Sequence, residues 1–482
     1  MAIDLGASNG RAMLGILDGG ALELREIHRF ANDPVRVHGC LYWDALRLFH
    51  EIKTGLSKCA AAGHSDIASV GIDTWGVDYC LLDKDGHLIA NPRHYRDSRT
   101  RGILEKIGSK ISPREMFDET GIFPLELNTS CQLASESVPQ NAVNLLFMPD
   151  MFGYFLTGEK RCEKTILSTS QLFDVKNGTL SETVLSKLGV SQDLFCPVIE
   201  PGTVLGKITG EISAETGIPQ IPVVAVAGHD TASAVAAVPF DGENSMFISS
   251  GTWSLLGAEF AEPLISQEVF DAGFTNETGC GNTICFLKNI VGLWIAQQCI
   301  EKWKREGQDI SFSRLDEETA AAQTSSYIDP NDARFIMPHD MTSAITDFCA
   351  ANGQKAPSSR SEYLACVTQS LAMEYRRGVE LLENLSGKKT ETLHIAGGGA
   401  NNKLLCRHTA NASGKKVIAG PVEATAAGNI MVQLIALGKI SCLREGREII
   451  KNSFKTETFL PQDTEKWDND YLKYLKIIKG GR

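Results

Sequence analysis

The chain has no run of about 20 consecutive apolar residues, the length a helix needs to cross a bilayer. Its opening, Met1-Ala2-Ile3-Asp4-Leu5-Gly6, has no basic region and carries an acid at the fourth position, so no secretory leader and a cytoplasmic location are expected. Basic residues nowhere gather beyond pairs such as Lys415-Lys416. With 47 Lys plus Arg against 59 Asp plus Glu the net charge is −12, which argues against nucleic acid as a partner. The 13 cysteines include no C-x-x-C pair, and the tightest spacing is Cys280 to Cys285. That excludes the usual zinc ribbons and disulfide frameworks and leaves thiols that are reduced and mostly buried. Two nucleotide signatures are also missing. G-x-x-x-x-G-K-[ST] does not occur, and Gly397-Gly398-Gly399 runs into Ala400-Asn401-Asn402 instead of completing G-x-G-x-x-G. An acidic protein can still hold a nucleotide through local amides and a metal, but here it must do so on another architecture.

A length of 482 residues, 43% of them hydrophobic, exceeds what one core usually serves and predicts two domains. Ile3–Leu5, Arg11–Leu17 and Leu22–Ile27 read as strands, with a turn at Asp18-Gly19-Gly20. A helix is expected from Trp43 to Ala62, with Asp44 in its first turn and Gly63 as its stop. Ile67–Asp73 follows as a strand ending in an acid. The stretch from Pro92 to Gly217 reads as a polar, loop-rich insertion that builds a substrate pocket. Pro222–Val226 is a buried strand running into Gly228-His229-Asp230-Thr231. After a turn-rich break at Asp241-Gly242-Glu243-Asn244 the pattern starts again. The strand Met246–Ile248 leads into Ser249-Ser250-Gly251-Thr252 and then a strand from Trp253 to Leu256, as the first strand leads into Gly6-Ala7-Ser8-Asn9-Gly10. A looser echo is the strand Thr392–Ala396 before Gly397-Gly398-Gly399. Pro421 is placed to start a buried helix to Leu437 with Glu423 in its first turn, and Tyr471–Ile478 is a last amphipathic helix, expected to pack back on the first domain. The expected division is 1–240, 241–460 and a terminal segment 461–482.

Several segments carry chemistry. A strand ending at Asp4 can place a carboxylate near Mg²⁺, directly or through water. The small residues after it let backbone N–H groups approach phosphate, and Arg11 adds a fork of donors. The same segment also reads as a glycine-rich hairpin turn. Ser249-Ser250-Gly251-Thr252 could contact the far side of a phosphate chain, and the three glycines from Gly397 could pass close to adenosine; both also read as ordinary turns. Asp230 could take the proton of a sugar hydroxyl as it attacks a γ-phosphoryl group, or could cap the next helix, with His229 a satisfied core residue. Thr74-Trp75-Gly76-Val77-Asp78 combines a ring, an approachable backbone and a carboxylate, as sugars favour; the alternative is a bulge with Trp75 in the core. Tyr95-Arg96-Asp97-Ser98-Arg99 is either a pocket clamp or a surface ion-pair run.

Together, in this order, these pieces resemble the FGGY carbohydrate kinases over nearly the whole chain. The resemblance rests on Asp4 to Ser8, Gly71 to Asp78, Tyr95 to Arg99, His229 to Ser233, Ser249 to Ser254, Leu287 to Ile290 with Gly292 to Trp294, Ile395 to Gly399 and Ala419 to Ala424. No one of these motifs is specific, but their joint presence is. The resemblance implies an α/β fold of duplicated actin-like, ribonuclease-H-like domains with ATP in a cleft between them. It further implies Mg²⁺-dependent transfer from ATP to O1 of L-rhamnulose, with Asp230 as base and Asp4 facing the metal. Gly76, His229, Asp230, Thr231 and Asn289 carry over as sugar contacts. Ala7, Ser8, Asn9, Gly10 and Arg11, with Thr252, Gln297 and Gly398, carry over to ATP. Asn9 departs from the pattern, which usually has Ser there. Partners are then a small sugar and ATP, with no membrane, in a monomer or homodimer. Kinases for L-fuculose, L-xylulose or glycerol are neighbouring alternatives. A DNA-binding repressor on this fold would carry a helix-turn-helix, for which the segment before Asp4 leaves no room. A filament or chaperone member should lack the sugar signatures.

Overall fold

The computed structural model describes residues 1–240, 242, 244–322, 324–336 and 338–480. Asp241 and Glu243 of the expected turn, and the final two residues, lie outside that set. The chain forms two compact units. The first comprises Met1–Ala237, Glu259–Phe286 and Ala424–Ser453; the second comprises Val238–Ala258, Leu287–Glu423 and Phe454–Arg482.

In the first unit six strands run in the order Thr203–Lys207, Pro222–Ala225, Val70–Thr74, Ala2–Leu5, Asn9–Asp18, Ala21–Ala31. The central three are parallel, with Leu5 beside Thr74 and Val224 beside Gly71, and the outer ones are antiparallel. The central strands are buried at every position in Ala2–Leu5 and Val70–Thr74, as parallel strands covered on both faces require. In the second unit Trp253–Phe260, Ser245–Ser250, Thr392–Ala396, Lys416–Ala419 and Glu457–Phe459 lie side by side. Again the middle strands are parallel, with an antiparallel hairpin partner on one side and an antiparallel edge on the other. The repeated strand–loop–strand pattern is therefore a repeated sheet plan.

The helix expected from Trp43 forms at Ala45–Ala61. Asp44 stands before it as the cap, its carboxylate accepting the Arg47 N–H at 3.2 Å. The stretch 92–217 is more helical than its composition suggested. Pro113–Thr120, Glu182–Leu188 and Gly210–Thr216 each start on a Ser or Thr cap, at Ser112, Ser181 and Thr209, and each stop on a left-handed glycine, at Gly121, Gly189 and Gly217. Its side chains also feed the core: Phe117, Phe147, Phe152 and Phe173 are fully buried. Strand Val70–Thr74 starts three residues later than expected.

Pro421 does not start the late helix, which spans Ala424–Ala436. The Pro421 carbonyl instead accepts the Gly397 N–H at 3.1 Å, so it is not available to a helical turn, and Glu423 precedes the first turn. The last helix, Thr464–Gly480, is longer than expected and packs within the second unit. Tyr471, Tyr474 and Ile478 pack there with Tyr327, Ala372 and Met373, and the Tyr474 hydroxyl donates to Glu374 at 2.8 Å. All the cysteines are free thiols, and only Cys40 and Cys442 are not buried. Among the described residues no helix is long and apolar enough to cross a membrane.

Candidate active site

In the first unit the carboxyl ends of three parallel strands come together, the place where open α/β sheets leave a crevice for ligands. Ala2–Leu5 leads to Gly6-Ala7-Ser8, Val70–Thr74 leads to Trp75-Gly76-Val77, and Pro222–Ala225 leads towards His229 and Asp230. Thr74 bridges to His229 in parallel, and the Thr74 N–H donates to the Gly228 carbonyl at 2.9 Å. Backbone pairing alone therefore brings Gly76, His229, Asp230 and Thr231 into one neighbourhood.

Asp230 is the first residue of the helix Asp230–Ala236, one position inside the cap residue His229. Its side chain is 30% exposed, while that of His229 is 9% exposed; His229 Nε2 lies 3.5 Å from Asp230 Oδ1. The Thr231 hydroxyl donates to the same oxygen at 3.3 Å. On its other side His229 Nδ1 lies 3.1 Å from Glu277 Oε2. A Cβ placed on Gly76 would sit 3.3 Å from His229 Nε2 and 3.2 Å from the Thr169 side chain, so glycine there keeps the wall of the site thin. The helix is also held from behind. Arg447 donates from Nε to the Ala236 carbonyl at 3.1 Å and from Nη2 to Val235 at 3.2 Å, a cation at a helix C-terminus.

A residue that sequence reasoning missed fixes the turn into this helix. Glu163 is 1% exposed and caps the helix Lys164–Ser168. Its Oε2 accepts the Gly228 N–H at 2.9 Å and the Thr165 hydroxyl at 2.6 Å. Burial raises its carboxyl to about 7 despite those donors. Spacing gives no hint of it, because 65 residues separate Glu163 from the turn it holds.

The electrostatics of the site are dominated by like charge. Asp4 and Asp73 are partners in the parallel register, one at each strand end. Arg11 Nη2 reaches Asp4 Oδ2 at 2.5 Å, so the expected phosphate fork stands on the carboxylate expected to face a metal. Asp73 is fully buried. Asn429 Nδ2 donates to its Oδ2 at 2.6 Å, while Oδ1 has no hydrogen-bond partner. Burial, then Asp4 and Asp230, push the Asp73 carboxyl well above its usual range. Burial pushes Asp230 up to about 6; His229 pulls it down, while Asp4 adds to the rise. For His229, burial opposes the charged ring, yet Glu277, Asp230 and Glu163 outweigh it and raise the imidazole above 6.5. The orphaned Asp73 oxygen, with Asp4 beside it in the register, is the feature a divalent cation would answer. Among the described residues no three His, Cys, Asp or Glu side chains stand close enough to cage an ion directly.

The expected phosphate loop is a hairpin turn as well. The Gly6 N–H donates to the Asn9 carbonyl at 2.9 Å, and Asn32 Nδ2 donates to the Gly6 carbonyl at 2.8 Å. Ala7 is half-buried, Ser8 and Asn9 are exposed, and Gly10 is buried against Phe30. Asn9 Oδ1 accepts from Arg29 at 3.3 Å.

Two open readings are narrowed. In Thr74 to Asp78 the alternative with Trp75 in the core holds, and Asp78 joins it there. The Trp75 ring lies 3.9 Å from that of Trp43, and Asp78 Oδ2 accepts both indole N–H groups, at 2.9 and 2.6 Å, while Gln132 donates to Oδ1 at 2.9 Å. Of the five residues Thr74 to Asp78, Gly76 alone is not buried. Tyr95 to Arg99 is not a surface ion-pair run, and Arg99 helps to line a cavity with Tyr42, Tyr79 and Arg93. Asp97 is buried, accepts the Leu41 N–H at 2.7 Å and meets Arg93 and Arg99, while Arg99 donates to Gln132 at 2.6 Å.

In the second unit Thr252, Gln297 and Gly398 lie on segments that meet near Ser250 and Gly251. The Leu293 and Trp294 N–H groups donate to the Gly251 and Thr252 carbonyls at 3.1 and 3.2 Å, setting the start of the helix Trp294–Arg305 that carries an exposed Gln297. Gly399 presses on Ser250 so closely that a Cβ would meet its hydroxyl at 2.0 Å, while nothing lies within 4 Å of a Cβ on Gly398. Asn289 lies half-buried on the strand Ile284–Val291.

Comparison with known proteins agrees with this arrangement. Residues 1–237 match the N-terminal domain, and residues 246–437 the C-terminal domain, of the FGGY family of carbohydrate kinases. The chain belongs to that family and is a carbohydrate kinase. A rhamnulokinase of Bacteroides thetaiotaomicron is 42% identical over 99% of both chains, and one of Bacillus subtilis is 40% identical over 96% of both. Among solved structures, a ligand-bound xylulose kinase from Lactobacillus acidophilus superposes with a TM-score of 0.80 at 12% identity, over 100% of this chain and 98% of that one. A Plasmodium falciparum glycerol kinase with ADP gives 0.79 at 13%, over 99% and 97%. These likenesses establish the mixed α/β, actin-like two-domain fold.

Proposed function

We propose that the protein is a rhamnulokinase, transferring the γ-phosphoryl group of ATP to O1 of L-rhamnulose and releasing L-rhamnulose 1-phosphate and ADP. The observation that carries this is the identity of 42% and 40% to rhamnulokinases along nearly their full length. The geometry of the first unit supports the chemistry. Asp230 has a partly open carboxylate, the His229 ring 3.5 Å away and a hydroxyl donor in Thr231, and it accepts the proton of the attacking sugar hydroxyl. Gly76, His229 and Thr231 flank it as sugar contacts, and Asn289 is assigned as a further one. Phosphoryl transfer asks chiefly for alignment and charge neutralisation. The loop Ala7 to Arg11 with Thr252, Gln297 and Gly398 binds ATP. Asp4 would face Mg²⁺, directly or through water, and the ion when bound would supply neutralisation of charge on the phosphates.

The test is an ADP-release assay with Mg-ATP against L-rhamnulose, L-fuculose, L-xylulose, D-xylulose and glycerol. L-Rhamnulose should lead in kcat/KM by about tenfold or more, ~1.4 kcal/mol of transition-state preference. A different leading substrate refutes the substrate and leaves the kinase. Asp230→Ala should lose most turnover and keep ATP binding; near-normal turnover refutes the base.

A further inference from the structure

We propose that Glu277 is a positioning residue for the sugar site, orienting the His229 ring through Nδ1 so that Nε2–H faces Asp230. The inference rests on the reading of Asp230 as base. Glu277 lies on the strand Thr275–Thr278, and the backbone on both sides of it is tied down. Asn276 donates through both its N–H, at 3.0 Å, and its Nδ2, at 2.9 Å, to the Gly121 carbonyl, while the Thr278 N–H donates to the Ser168 hydroxyl at 3.0 Å. Glu277 Oε2 and His229 Nδ1 are both buried without a hydrogen bond of good angle, yet they stand 3.1 Å apart, with side chains 10% and 9% exposed. Each is the group that answers the other, since a small rotation of the ring satisfies both.

The rest of His229 has little freedom. Its N–H donates to the Thr165 hydroxyl at 3.3 Å, the preceding N–H is held by Glu163, and the thin wall at Gly76 stands against Nε2. The ring torsion and its tautomer remain, and a carboxylate at Nδ1 sets both, as it does for the second nitrogen of many functional histidines. The charged groups facing His229 are Glu277, Asp230 and Glu163; those facing Asp230 are His229, Asp4 and Asp73. The Glu277 charge favours the protonated His229 ring, and a protonated ring favours the ionised form of Asp230 among its carboxylate neighbours. Removing the Glu277 charge therefore moves the protonation of Asp230 to higher pH.

The experiment uses the full chain with Glu277→Gln, Glu277→Asp, His229→Asn and the Glu277→Gln/His229→Asn double variant. Sugar and ATP kinetics are read from pH 5 to 9 beside the melting temperature. Glu277→Gln should lower kcat/KM for the sugar about tenfold or more at pH 7.5, leave KM for ATP within about twofold and move the acid limb up by about one pH unit. Glu277→Asp should keep the limb, because it keeps the charge. In the His229→Asn background, Glu277→Gln should change kcat/KM less than about twofold, since its target is gone. An unmoved limb with unchanged sugar kinetics, or an equal loss at every pH that persists without His229, overturns the proposal. Should the Gln variant fail to fold, the Asp variant and the histidine background still decide it. Asp230→Asn is assayed in parallel: turnover there refutes the base alone, whereas an inactive Asp230→Asn beside an unperturbed Glu277→Gln refutes the positioning role alone.

Discussion

Gly428→Ala should disable the site without touching any residue in it. Gly428 lies on the buried helix Ala424–Ala436, which packs in the first unit against Asp230–Ala236, the helix that begins with the proposed base. A Cβ on Gly428 would fall 1.8 Å from the Ser233 carbonyl oxygen and 2.7 Å from its carbon. An ordinary carbon–oxygen contact is about 3.3 Å, so the helices must separate locally by roughly 1.5 Å. Both atoms are backbone, so no rotamer change relieves the clash. Overpacking of this kind costs about 1–3 kcal/mol or more, against which the better helix propensity of alanine returns at most ~1 kcal/mol. A displacement near 1 Å in a catalytic group costs on the order of 10²-fold in rate. The variant should melt several degrees lower, keep its far-ultraviolet circular dichroism and lose about 10²-fold in kcat/KM for the sugar. ATP binding, read by fluorescence titration, should change little. A variant with wild-type melting and wild-type sugar kinetics would refute both the closeness of the helices and the dependence of Asp230 on it.

The pH dependence of the reaction should show an acid limb near 6, the value to which burial lifts Asp230. The base must be ionised, so kcat/KM falls about tenfold per unit below that limb, and a profile flat to pH 5 counts against it. Asn289→Ala should raise KM for the sugar more than KM for ATP; the reverse places Asn289 on the wrong ligand. Trp75→Phe removes one of the donors to Asp78, whose carboxyl burial raises to about 6. The folded state already holds that proton more tightly than the unfolded chain, so this group favours folding at low pH and less so as pH rises from 3.8 towards 6. Loss of the donor should cost about 1–3 kcal/mol above pH 7, where Asp78 is ionised, and less at pH 5; denaturation showing an equal cost at both refutes the charge argument.

Much of this protein is written locally. The parallel strands are short apolar runs that end in Asp4 and Asp73, and the duplication shows as strand, small polar loop and strand twice over. His229-Asp230-Thr231 was legible as a motif because a buried strand runs directly into it. The caps Ser112, Ser181 and Thr209 and the stops Gly121, Gly189 and Gly217 were equally present, but they bracket helices of only seven or eight residues, too short for a 3.6-residue period to stand out. What only the tertiary structure decided is which polar side chains face a ligand and which face one another. Thr74 to Asp78 read equally as a sugar platform or as a bulge with Trp75 in the core, and Trp43 and Gln132, distant in sequence, decide for the core. No motif singles out Glu163 or Glu277; folding sets one under Gly228 and the other against His229. A carboxylate takes its role from its donors and its dielectric surroundings, and those are supplied by residues far along the chain.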